Sequence, residues 1–294
     1  MSFPRFAFFG SSNLSVIVLE ELSSAGFLPS VVVASPDEKK GRGMELTPPP
    51  TAIWAKQNDI PLLQPESLKN NPELLKELAR LSYDCFIVAS YGKIIPQNIL
   101  GIPLRGTLNV HPSLLPRFRG PDPIRAQILA DEKEVGVSIM LIDEKVDHGP
   151  IVAKEVVEIK NWPPGALELE DMLARAGGKL LAQILPDYLS GKTKPTEQDH
   201  AKATLTKKLE KKDGELDLSE DAYQNFLKIR AYDGWPGTYF FIEKGDPSTS
   251  LRAGKKIRVI IKEADFIDGK LILKKVLPEG GREMSYEDFL RGIH

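Results

Sequence analysis

Along the first two-thirds of the chain, short apolar runs alternate with amphipathic stretches. This pattern predicts an α/β fold with a mainly parallel sheet covered by helices on both faces. Residues 6–9 form an apolar run that ends in the turn Gly10-Ser11-Ser12-Asn13. The spacing of Leu14, Val16, Ile17, Leu19 and Leu22 then predicts a helix, with Ser or Asn available as its N-cap. Val31-Val32-Val33 reads as a buried strand closed by Ser35-Pro36-Asp37. A polar, basic, glycine-rich loop follows at residues 39–43, and Thr47-Pro48-Pro49-Pro50 leads into a helix at residues 53–57. Buried strands are expected at 84–90, ending at Tyr91-Gly92, and at 106–111. Two more flank residues 143–149, at 135–142 and 151–159, and a long helix runs over 167–189.

Residues 191–208 lose this periodicity and are rich in Lys, Thr, Pro, Gln and Asp, which is the composition of a linker. Beyond it come a short helix at 221–229 and three β-like runs at 237–243, 256–261 and 269–275, separated by polar turns. Short strands of this kind predict a small barrel or partial barrel. The expected division is 1–190, a linker at 191–206, and 207–294.

Composition adds limits. With 41% hydrophobic and 27% charged residues the chain has the balance of a globular protein. A formal net charge of -2 gives no global sign of nucleic-acid binding, so any such contact must come from local basic patches. Cys85 is the only cysteine, which excludes an intramolecular disulfide and a cysteine metal cluster and fits a reducing compartment. The first apolar run is too short for a leader peptide, and no stretch approaches the roughly 18 apolar residues of a membrane span. A cytoplasmic protein without membrane contact, acting as a monomer, is expected.

Candidate chemistry concentrates where a strand turns polar at its end. Asn109 and His111 lie two apart, so their side chains share a face at the carboxyl end of a strand, where open α/β sheets bind ligands. An amide N–H and an imidazolium aimed at one carbonyl oxygen would stabilise the oxyanion formed when a nucleophile adds to it, worth roughly 3–4 kcal/mol per donor. Asp147 could hold the histidine protonated or accept the proton that an attacking amine loses. Taken singly, a histidine at a strand end is commonly a hydrogen-bonded structural residue, and an Asp before His-Gly is a common turn former.

Taken together, the segment Asn109-Val110-His111-Pro112-Ser113-Leu114-Leu115-Pro116-Arg117-Phe118-Arg119-Gly120, with Asp147-His148-Gly149 further on, resembles the hallmark of the folate-dependent formyltransferases. The resemblance implies a Rossmann-like, doubly wound catalytic domain. It implies Asn109, His111 and Asp147 as a catalytic trio that needs no metal, and 10-formyltetrahydrofolate as formyl donor. Ser113, Leu114, Leu115 and Pro116 would form the loop against which the folate carrier binds, with backbone groups near Tyr91 and Gly92 contributing. His148 is read as a neighbour of the trio.

Two further matches point to the tRNA-acting branch of that family, with initiator methionyl-tRNA as acceptor. The run from Pro36 through Gly41-Arg42-Gly43 to Pro50 resembles that branch's inserted loop, where Lys39, Lys40 and Arg42 suit phosphate contacts. From Ala203 the chain resembles the start of the branch's appended small β-barrel (OB-like) domain, with Lys207, Lys208, Lys211 and Lys212 as a basic stripe at helical spacing. The barrel is expected in shortened form, because the chain passes quickly from Ile261 to Gly269-Lys270-Leu271. Ser11-Ser12 also departs from the Thr-Pro common in the tRNA enzymes. The competing acceptor is a nucleotide-linked amino sugar, and the competing non-enzymatic reading is an α/β protein that only binds folate or RNA.

Overall fold

In the computed structural model the described residues are 4–40, 43–244 and 255–292. The elements in chain order are β1 (Phe6–Phe9), α1 (Asn13–Ser24), β2 (Val31–Val33), β3 (Glu38–Lys40), β4 (Glu45–Thr47), α2 (Pro50–Gln57), β5 (Leu62–Leu63), α3 (Pro72–Ala79), β6 (Cys85–Val88), α4 (Gln97–Leu100) and β7 (Thr107–His111). They continue with α5 (Pro123–Leu129), β8 (Val135–Leu141), β9 (Ile151–Val157), α6 (Ala166–Leu189), α7 (Ala222–Ala231), β10 (Thr238–Lys244), β11 (Lys255–Ile267), β12 (Lys270–Pro278), β13 (Met284–Ser285) and α8 (Tyr286–Arg291).

Two compact units emerge. The first takes the chain to Pro123, then 134–158 and 170–206; the second takes 124–133, 159–169 and the chain from Lys207. Residues 191–206, expected to be a tether, therefore group with the first unit.

The first unit is built on a seven-stranded sheet of order β5-β2-β1-β6-β7-β8-β9. Its first four pairings are parallel, while β7–β8 and β8–β9 are antiparallel. All four residues of β1 are buried, as a strand covered on both faces requires. On one face Ala7, Phe9, Phe86 and Val88 pack with Leu74 and Leu78 of α3 and Ile99 and Leu100 of α4. The periodicity reading passed over α3, although its signals are present: the Asn71 side chain accepts from Leu74 N, and Pro72 opens the helix. On the other face α6 lies against the sheet through Gly177, where an added Cβ would come 2.5 Å from Val110 Cγ1 and 3.0 Å from Val137 Cγ2. That close approach accounts for a glycine in the middle of a helix, which otherwise costs about 1 kcal/mol relative to alanine.

The expected basic loop is instead a two-stranded antiparallel ribbon, β3 with β4, pairing Glu38 with Thr47 and Lys40 with Glu45. Gly41 and Arg42 lie outside the described residues.

In the second unit β10, β11, β12 and β13 form a four-stranded antiparallel sheet in sequence order, over a core of Leu216, Phe240, Val259, Ile261, Ala264, Val276 and Phe289. The shortened barrel takes the form of this open meander among the described residues. The lysine stripe does not lie on one helix face. Lys207 and Lys208 lie outside any helix or strand, and Lys211 and Lys212 belong to a single 3-10 turn, Lys211–Gly214.

Candidate active site

Strand register sets the geometry of the site. β6 pairs Phe86 with Thr107 and Val88 with Asn109, while β8 pairs Met140 with Asn109 and Ser138 with His111. Asn109 and His111 therefore look out on the face of Phe86 and Val88, at the carboxyl end of β7. Val110, between them, points to the opposite face and carries Gly177 of α6. Ser138 is the one polar side chain in β8 and is fully buried. Its hydroxyl donates to Ser113 O at 2.7 Å and accepts from Leu115 N at 3.0 Å, which fixes the loop leaving β7.

His111 is 4% exposed. Its Nε2 lies 3.0 Å from Phe118 O, and a carbonyl can only accept, so Nε2 carries a hydrogen. Nδ1 then faces Asp147, 3.6 Å from Oδ2. Phe118 has φ +58°, a costly conformation for a bulky residue, on the order of 1–3 kcal/mol. Its surroundings impose that conformation. Phe118 N donates to Thr204 Oγ1 at 2.8 Å, Arg119 N to Thr204 O at 2.9 Å, and Thr206 N to Arg119 O at 2.7 Å.

Asp147 is also left-handed, with φ +48°. Its Oδ2 accepts from Gly120 N at 2.7 Å, and Oδ1 has no partner among the described residues. Glycine is required at two positions around this carboxylate. A Cβ on Gly120, whose φ is +115°, would come 2.7 Å from Thr206 Oγ1, and a Cβ on Gly149 would come 2.0 Å from Leu141 O. Asn109 is half-buried, and its amide has no partner among the described residues. A free amide, an imidazole nitrogen and an open carboxylate oxygen are thus gathered at one strand end. This set suits proton removal from a nucleophile together with stabilisation of an oxyanion.

The formyl transferase family pattern matches residues 4–185. The methionyl-tRNA formyltransferase of Chloroflexus aurantiacus is 40% identical to this chain over 99% of it and 97% of the relative. That of Bacillus subtilis is 35% identical over 99% of this chain and 95% of the relative. The chain belongs to the methionyl-tRNA formyltransferase family. The fold is also that of an N-formyltransferase from Helicobacter canadensis, solved with folinic acid and dTDP-3-aminofucose. There the TM-score is 0.64 at 17% identity, covering 92% of this chain and 99% of that one.

For a member of this family, the remaining expected residues divide by exposure. Ser113 and Leu115 are fully buried, and Ser113 Oγ donates to Arg117 O at 2.7 Å. Their side chains build the loop, which leaves Leu114 and Pro116 as the partly exposed members. The Tyr91 ring turns inward against Phe9 at 5.7 Å with its hydroxyl buried, and burial pushes that hydroxyl's pKa up to about 12. Tyr91 thus offers only backbone to a ligand, whereas Gly92 faces open space.

His148 sits beside the trio, as expected. Its Nδ1 is 2.7 Å from Asp143 Oδ2, and its ring stacks on His200 at 4.0 Å. Of the basic residues, Lys39, Lys207, Lys208, Lys211 and Lys212 are exposed; Lys212 is paired with Glu210 at 2.8 Å, and Arg42 lies outside the described residues.

Arg119, Ser138, Gln198 and Thr204, which hold the loops around the site, were not among the residues expected from the sequence. A single serine in an otherwise apolar strand was a usable signal for Ser138. Gln198 and Thr204 carried none, because they lie in a stretch with the composition of a tether.

Proposed function

We propose that this protein transfers a formyl group from 10-formyltetrahydrofolate to the α-amine of initiator methionyl-tRNA, acting in the cytoplasm as a monomer. Identity of 35–40% over nearly the full length of methionyl-tRNA formyltransferases supports the acceptor. The observation that carries the mechanism is the Asp147 carboxylate, bound on one oxygen by Gly120 N, open on the other, and 3.6 Å from His111 Nδ1.

When bound, the folate supplies a formyl carbon already attached to a nitrogen that can leave. The unpartnered Asn109 amide and the partly exposed Leu114 and Pro116 fit such a carrier, with backbone at Tyr91 and Gly92 adding polar contacts. Asn109 donates to the formyl oxygen as negative charge gathers there, and the His111 ring adds its own field. Asp147 Oδ1 takes the proton that the amine gives up as it forms the new C–N bond. The same proton then passes to the folate nitrogen as the old C–N bond breaks. Lys39, Lys40, Arg42, Lys207, Lys208, Lys211 and Lys212 meet tRNA phosphates in this reading.

The test is formyl transfer to charged initiator methionyl-tRNA, run beside a charged elongator tRNA and a nucleotide-linked amino sugar. Formylation of the initiator alone supports the proposal, whereas transfer only to the sugar overturns the acceptor and leaves the trio's chemistry standing.

A further inference from the structure

Gln198 lies in the polar stretch after α6, yet it is 5% exposed and its amide is fully used. Nε2 donates to Asp147 O at 3.0 Å and to Gly149 O at 2.7 Å. Oε1 accepts from Arg119 Nε at 3.2 Å and Nη2 at 2.6 Å. Arg119 fixes which way round the amide stands: its guanidinium can only donate, so the oxygen must face it and the NH2 must face the two carbonyls. The buried guanidinium has no carboxylate within ion-pair distance among the described residues; its other partner is His200 Nδ1 at 2.9 Å. Gln198 thus brackets the carbonyls of the residues on either side of His148, in the turn where Asp147 holds its left-handed conformation.

We infer that Gln198 is a positioning residue for the reaction, holding the Asp147 backbone so that its carboxylate faces Gly120 N and His111. The inference rests on the reading of Asp147 as proton acceptor. An Asp released from the bracket relaxes to an ordinary φ, and its carboxylate swings off the line it shares with His111. A displacement of about 1 Å at a reacting group costs on the order of 10²-fold in rate.

The experiment uses the full chain and two variants. Gln198→Ala removes the bracket. Gln198→Glu keeps the volume and an acceptor for Arg119 but offers no N–H to the carbonyls at neutral pH. Both variants should lower kcat by about 10²-fold, with KM for methionyl-tRNA and 10-formyltetrahydrofolate little changed. Gln198→Glu should still melt cooperatively and bind tetrahydrofolate. In an Asp147→Asn background either change should cost nothing further, because two residues acting through one group are not additive. Wild-type kcat, a loss confined to KM, or losses that multiply in the Asp147→Asn background would overturn the inference. Wild-type activity in Asp147→Asn alone would instead withdraw the reading of Asp147, and the inference with it.

Discussion

At the scale of single residues, the proposed chemistry rests on three side chains whose surroundings differ. Asn109 is the only member of the trio without a protein partner among the described residues, so its truncation leaves no buried group stranded. Asn109→Ala should fold normally and lose about 10²–10³-fold in kcat, the usual effect of removing one oxyanion donor, measured in a steady-state transfer assay. His111→Ala should abolish transfer while tetrahydrofolate binding, followed by fluorescence quenching, stays within a few-fold of wild type. Equal loss of both would move His111 from the chemistry to the folding of its loop. Gly149 is a different case: the only space for a side chain there is already filled by Leu141 O, 2.0 Å from where a Cβ would stand. Gly149→Ala must open the turn carrying Asp147, and soluble expression with normal kcat would contradict that.

At the scale of elements, the trio depends on how β7 is gripped from behind. Gly177→Ala in α6 places a methyl group 2.5 Å from Val110 Cγ1, between Asn109 and His111 on β7. Overpacking of this kind costs about 1–3 kcal/mol, more than the helix propensity that alanine gains, so a lower Tm together with a reduced kcat is expected. The β3–β4 ribbon predicts otherwise. Lys39→Ala should leave folding and kcat unchanged, raise KM for tRNA, and reduce the salt dependence of tRNA binding by about one unit of log–log slope.

Elements with strong periodicity were legible in the sequence. β1, β2, β6, β7, β8 and α6 lie where apolar runs and i, i+3, i+4 spacing predict them; alternation along β7 puts Asn109 and His111 on one face, while Asp147 joined them only through the family resemblance. The ribbon was not legible, because Lys39, Lys40, Glu45 and Leu46 carry no alternation and only cross-strand pairing orders them. Helix α3 was legible too, in the Asn71 cap and the Pro72 that open it. The contacts of Gln198 and Thr204 were illegible for a physical reason: polar residues at 191–206 read as solvated chain unless the partner surface 79 residues earlier is known.

At the scale of the whole molecule, a buried thiol and a half-buried phenol make stability depend on pH at the alkaline end. Burial, with a smaller contribution from the Asp84 charge, pushes the Cys85 thiol from 9.0 up to about 12. Burial, then the hydrogen bond and charge of Asp131, pushes Tyr223 from 10.0 up to about 12. Both folded values lie above the unfolded ones. The stabilisation is therefore fully present below about pH 9 and is lost as pH rises toward 12. Urea melts through that range should show a falling midpoint, and a thiol reagent at neutral pH should label the unfolded chain while sparing the folded one.

The bracket between Gln198 and the turn of Asp147 also has a consequence in time. The two residues are 51 positions apart. At roughly 5–20 residues per second a ribosome takes roughly 3–10 s to travel from one to the other. For that interval the growing chain already carries Asn109, His111 and Asp147, yet the clamp on the turn of Asp147 has not been made. The turn of Asp147 thus takes its final shape only in the later part of the chain's own synthesis.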